Sequence, residues 1–113
     1  MGEFGLYPGK HAIIPFESHL NGLEEQSKTS LLNLRDFVKS LGSNVIEEVR
    51  PHRISYAKTL TFRTFLEIQP RSDSLIIAIR QGRNEPVTNI TISTVKEMES
   101  IKPQILKAYE KIK

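Results

Sequence analysis

Imidazoles are the first residues in this chain from which a reaction or a metal site could be built. There are three: His11, His19 and His52. Two histidines one helical turn apart, with a third ligand nearby, would hold a cation. These three lie in separate segments and match neither HExxH nor any other ligand spacing. His19 reads as a capping or surface residue. Cysteine is absent, which excludes thiol nucleophiles, thiolate ligands and disulfides. Neither GxGxxG nor GxxxxGK occurs, so no glycine-rich loop cradles a phosphate, and there is no GxSxG nucleophile elbow.

Carboxylates and tyrosines offer little more. Glu67-Ile-Gln69 lacks the lysine of the acidic-x-lysine pair used by metal-dependent nucleases. Such a site needs clustered carboxylates to hold the cation that activates water, and Glu67 has no acidic neighbour in its segment. Glu47-Glu48 reads as a solvated turn. Tyr56 and Tyr109 read as core aromatics whose hydroxyls reach an edge. A small-ligand pocket around Tyr56 and His52 is the one enzymatic reading left. No catalytic, metal or cofactor-binding residue is assigned, and no cofactor is called for.

The elements that would position these residues belong to one domain. The chain has 113 residues, 38% of them hydrophobic and 26% charged, a globular profile. No apolar run approaches the ~18 residues a membrane span needs. The N-terminus has no signal-peptide apolar region. A cytoplasmic location is the expectation. Charge is uneven: residues 1–49 carry four Lys/Arg against seven Asp/Glu, and residues 50–95 carry seven against three. That mild basic bias permits a nucleic-acid partner without demanding one.

Residues 1–15, with two prolines and three glycines, read as an irregular arm, and residues 16–113 as the α+β domain. A short helix over 16–21 closes at Gly22. Leu31, Leu34, Val38 and Leu41 then recur at helical spacing within a helix from about Leu23 to Leu41. Gly42 follows as a positive-φ stop. Glu47–Arg50 is ambiguous, and Pro51 ends it. Four strands come next, over 52–57, 62–69, 75–80 and 87–93, joined by turns too short for helical crossovers. Thr94-Val-Lys-Glu97 fits a capping box for the last helix. Pro103 kinks that helix or splits it at Ser100. The predicted fold is a two-layer, four-stranded antiparallel sheet with the N- and C-terminal helices packed on one face.

That arrangement leaves a second sheet face. With Phe62, Leu66, Ile68, Leu75, Ile77 and Ile79 pointing inward, alternation puts Phe65, Ile76 and Ala78 outward. Arg53, Arg63 and Arg80 would rim them. An apolar centre inside an arginine rim is a common build for contact surfaces. Three occupants compete for it, in descending order: a second copy of the chain, the N-terminal arm, and a nucleic acid or another ligand, with Phe65 stacking and the arginines neutralising phosphate.

Several segments, in order, resemble the DUF5655 family, a domain of unknown function. They are Glu17-Ser-His-Leu-Asn-Gly22, Leu41-Gly42-Ser-Asn-Val45, Ile54-Ser-Tyr56-Ala, Thr61-Phe62, Phe65-Leu-Glu-Ile68 with Pro70, Leu75–Ile79, Pro103-Gln-Ile105 and Ala108-Tyr109-Glu110. The resemblance covers roughly residues 16–112. It implies the same order of elements and structural roles for Tyr56, Phe62 and Tyr109. It brings no catalytic residue to carry over. Some domains that look like this accompany nuclease-like domains, which lends a nucleic-acid context by association only. The sequence-based expectation is a non-enzymatic interaction module. It self-associates or docks on a protein partner through the second sheet face. The alternatives are a nucleic-acid-binding accessory domain and a small-ligand pocket near Tyr56. No membrane partner is expected.

Overall fold

Phe16–His19 forms a single 3-10 turn, and Gly22, at φ 84°, carries the chain out of it. A residue without Cβ takes that conformation at no steric cost. The computed structural model describes residues 14–59, 63–81 and 86–111. Phe62 and residues 1–13 of the expected arm therefore lie outside the described residues. Helix α1 spans Glu25–Lys39, with Leu31, Leu34 and Val38 fully buried along its expected stripe. Helix α2 spans Val95–Lys111. Neither is long and apolar enough to cross a membrane.

Between the helices lie β1 (Val45–Arg50), β2 (Arg53–Lys58), β3 (Thr64–Pro70), β4 (Leu75–Ile79) and β5 (Thr88–Ile92). They pair antiparallel in chain order, β1-β2-β3-β4-β5. The sheet thus has five strands, and the expectation of four is corrected. The missing strand is Val-Ile-Glu-Glu-Val-Arg over 45–50. Val45, Glu47 and Val49 share the helix-covered side. A glutamate at the middle inward position breaks the apolar alternation by which a half-buried strand is recognised.

The core is built from cross-strand rows. Val49, Ile54, Ile68, Ile77 and Ile90 are register partners from edge to edge. The next row, Glu47–Tyr56–Leu66–Ile79–Thr88, is apolar only in its middle. Both helices pack over these rows and against each other, α2 lying over β3 and β4. Met98, Ile101, Ile105 and Ala108 supply the buried side of α2.

The predicted capping box forms as read. Thr94 Oγ1 accepts the Glu97 N–H at 3.1 Å, and Glu97 Oε1 accepts the Ser93 and Thr94 N–H groups at 2.7 and 3.2 Å. These bonds hold the exposed Glu97 carboxyl below its ordinary range, the Ser93 N–H contributing most. Pro103 sits inside one continuous helix. Ser100 does not start a second one; its hydroxyl donates to the Glu97 carbonyl at 2.6 Å.

Two local features depart from expectation. The register of β2 against β3 shifts after Tyr56. Tyr56 faces Leu66 and Ala57 faces Thr64, which leaves Phe65 as the extra residue of a β-bulge. A bulge sets two consecutive residues against one partner. Phe65 and Leu66 are both fully buried, and the Phe65 ring meets Tyr109 of α2 edge-on, with centroids 5.6 Å apart. The outward placement of Phe65 is corrected accordingly. Gly42, for its part, does not adopt the positive φ expected of it. Its role is space: Tyr109 donates its hydroxyl to Asn44 Oδ1 at 2.7 Å, and a Cβ on Gly42 would collide with that hydroxyl.

Gly42→Ala should therefore destabilise the domain by about 1–3 kcal/mol, the usual cost of overpacking. Combining it with Tyr109→Phe should recover part of the loss, because the colliding oxygen is gone. Urea unfolding of both single variants and the double variant tests this. Strict additivity would show that Gly42 and Tyr109 do not meet.

Candidate functional site

Three places hold polar groups in defined geometry: a buried cluster on the helix side, the open sheet face, and a cleft at one end of the sheet. The buried cluster centres on Glu47, whose side chain is only 11% exposed. Arg35 of α1 donates through Nε to Oε2 and through Nη2 to Oε1, both at 2.9 Å. The Tyr56 hydroxyl donates to Oε2 at 2.7 Å, and Lys39 Nζ stands 3.7 Å from Oε1. The Arg35 guanidinium in turn lies 4.0 Å from the centre of the Phe16 ring, a cation–π contact.

Burial alone would raise the Glu47 pKa. The hydrogen bonds from Arg35 and Tyr56, with the charges of Arg35 and Lys39, outweigh it and leave the carboxyl below its ordinary value. The same Glu47 bond raises Arg35. Burial, then donation to the carboxylate, pushes the Tyr56 hydroxyl far up. Tyr56 is a permanent donor here, and the Glu47 oxygens are already occupied. Neither is placed to act as base or nucleophile. Glu47 is thus not the solvated turn residue expected of it. Tyr56 is fully buried, whereas His52 is exposed in the β1–β2 turn, so the two do not share a pocket.

The open face follows from the same register. One row runs Ile46–Ala57–Thr64, and the next Glu48–Ser55–Glu67–Ala78–Asn89. At one end of the face Arg50 pairs with Arg53, and Gln69 leads to Ile76 and Thr91. Ile46, Ala57, Ile76 and Ala78 are half-buried. A shallow depression of ≈190 Å³ lies between Ile46, Glu48, Ser55, Ala57 and Thr64. Ser55 donates to Glu67 at 3.4 Å, and Arg53 Nη1 lies 4.0 Å from the same carboxylate. Arg50 Nη2 is 3.4 Å from Glu48.

Of the residues expected on this face, Arg53, Ile76 and Ala78 stand on it. Arg80 is exposed just past β4, its N–H donating to the Phe65 carbonyl at 3.0 Å. Arg63 is half-buried just before β3. Phe65 is on the opposite side. Ile46 was not anticipated, since β1 itself was not; Ala57 lies in β2, inside the strand expected over 52–57. Glu48 and Glu67 share a row but have Ser55 between them, roughly 9.6 Å at two strand spacings, too far to share one cation. Among the described residues no group of three or more His, Asp or Glu could hold a metal ion.

At the end of the sheet, the β1–β2 turn, the β3–β4 turn and the 3-10 turn converge. His19, Pro51, His52, Gln69, Pro70 and Arg71 line a cleft of ≈300 Å³. A second hollow of ≈330 Å³ shares four of those residues and extends over Ser18, Asn21, Gly22, Leu23 and Ser72. His19, expected at the surface, is 9% exposed, and its Nε2 lies 2.6 Å from the Arg50 carbonyl oxygen. The chemical pattern of the cleft was visible as two Pro-basic dipeptides, Pro51-His52 and Pro70-Arg71. The antiparallel pairing of β2 with β3 places them at the same end. Comparison with known protein families, curated proteins and solved structures produced no match.

Removing the central carboxylate has a signed consequence. A carboxyl held below its ordinary value of 4.5 stabilises the fold above that pH. That contribution fades as pH falls through its folded-state value. Glu47→Gln should cost about 1–3 kcal/mol near neutrality and flatten the acid limb of the stability curve below about pH 4.5. Denaturant midpoints measured against pH decide it. Parallel curves for the variant and the parent would show that Glu47 does not carry the acid sensitivity.

Proposed function

We propose that the domain is a non-enzymatic interaction module that docks on a second copy of itself through the uncovered sheet face. One observation carries the reading: both helices lie on one face, and no described element covers Ile46, Ala57, Ile76 and Ala78 on the other. The charges favour a second copy over a polyanion. Glu48 and Glu67 stand beside Arg50 and Arg53, so the face can complement itself across a twofold axis. Those glutamates would repel a nucleic-acid backbone, and Phe65, the aromatic that would stack on bases, points into the core. The arm as occupant turns on residues outside the described ones. Where the arm enters, the Ile14 N–H donates to the Val49 carbonyl at 3.4 Å, at the β1 edge.

Size sets the strength. Five strands at ~4.8 Å spacing and ~17–20 Å length give a flat face of roughly 400–500 Å² per copy. A standard stable interface buries about 800 Å² per partner. The association should therefore be weak and reversible. Membership of the DUF5655 family and a cytoplasmic setting belong to the same proposal. They are supported by segment order and composition respectively, and neither adds an activity.

Sedimentation equilibrium from about 10 µM to about 1 mM should show the mass rising above 12.9 kDa with concentration. Ile76→Lys, an outward and half-buried position, should hold the chain monomeric without unfolding it. A parent chain that stays at 12.9 kDa up to about 1 mM would sink the proposal.

A further inference from the structure

We infer that the cleft at the β1–β2 and β3–β4 end of the sheet is a binding site for a phosphate monoester. Four polar residues line it, His19, His52, Gln69 and Arg71, of which His19 already donates its Nε2–H to the Arg50 carbonyl, and no carboxylate lines either hollow. Asp73, in the same turn as Arg71, is exposed and does not line them. A guanidinium offers its planar fork of donors to two oxygens of a tetrahedral oxyanion. The His52 imidazole and the Gln69 amide supply donors from the adjoining strand ends. The same set argues against a cation, because Arg71 is permanently positive and no anionic ligand offsets it.

The walls are held before any ligand arrives. His19 is fixed by its contact with the Arg50 carbonyl, and Phe16, three residues earlier, is buried in the core. The Arg71 N–H donates to the Ser74 carbonyl at 2.8 Å and closes the β3–β4 turn. The Glu24 N–H donates to the Ser72 carbonyl at 2.8 Å and ties that turn to the start of α1. Pro51 and Pro70 restrict the backbone on either side. A turn backbone fixed in advance leaves only the side chains to be ordered on capture. At ≈300 Å³ the cleft sits at the small end of ligand pockets, which run from about 300 to about 1,000 Å³. It admits a phosphate with a small organic group and excludes a folded chain. Carboxylates offer fewer acceptor oxygens to the donors of Arg71, His52 and Gln69, so phosphate is the better match.

Full-length protein carrying Ile76→Lys should be titrated with inorganic phosphate and, separately, with adenosine monophosphate at constant ionic strength, following backbone amide shifts by NMR. That background keeps the test independent of self-association. The site is supported by saturable shifts centred on residues 18–23, His52 and 69–72 with either probe. Tighter binding of the nucleotide shows that the second hollow also contacts the organic group; equal affinity shows that phosphate alone is recognised. Arg71→Glu should weaken binding by about tenfold or more, and His52→Ala by a smaller factor. The inference is overturned if the shifts stay linear in ligand, if they scatter over the lysines of α2, or if Arg71→Glu binds like its parent.

Discussion

The contact on which the rest of the fold depends is the paired carboxylate of Glu47. It joins α1 to the first two strands from the inward position of β1 between Val45 and Val49, where a carboxylate stands in place of an apolar side chain. Charge pairs at an interior seam seldom improve on well-packed hydrocarbon, but breaking one is costly because the surviving partner is stranded. Here Arg35, Lys39 and Tyr56 converge on a single acceptor, and Arg35 extends the network to the Phe16 ring. The position of the 3-10 turn over β1 follows from that chain of contacts. So does the anchoring of His19, since the turn that carries Phe16 also carries the imidazole. A polar interaction inside the domain thus shapes the cleft at its margin.

Much of the architecture could be read from residue order. The α1 stripe, the Thr94–Glu97 box and the inward alternation of β4 each follow a local rule that tertiary context reinforced. The failures have a common cause. β1 was illegible because an inward glutamate is tolerated only when distant residues satisfy it, and Arg35 lies 12 positions away in the chain. Phe65 was misplaced because alternation assumes an uninterrupted ladder, and the bulge is a property of pairing between two strands rather than of either alone. Gly42 was given the wrong reason because its constraint comes from Tyr109, 67 positions later in the numbering.

The candidate surfaces were legible to different degrees. Ile76 and Ala78 were found by simple parity. Ala57 follows from the same parity in the strand expected over 52–57, whereas its partner Ile46 depends on the missed strand. The cleft is not marked by its two Pro-basic dipeptides alone, which gain meaning only where the turns meet. It arises where two hairpin turns and a helical turn meet, and its residues are drawn from three separate stretches of chain. Its arginine, Arg71, belongs to the β3–β4 turn, whereas Arg50 and Arg53 of the open face stand beside glutamates. The domain therefore has a charge-balanced plane and, at its rim, a cleft without balancing carboxylates.

The bulge in β3 has an implication for how such a surface changes over time. Phe65 is hidden because the strand is one residue longer than its partner at that point. A single-residue deletion there would restore strict alternation and turn an aromatic ring toward solvent. Replacing side chains one by one is the slow route to a stickier face; altering strand length by one is the abrupt route. The character of this surface is governed by chain length as much as by amino-acid identity.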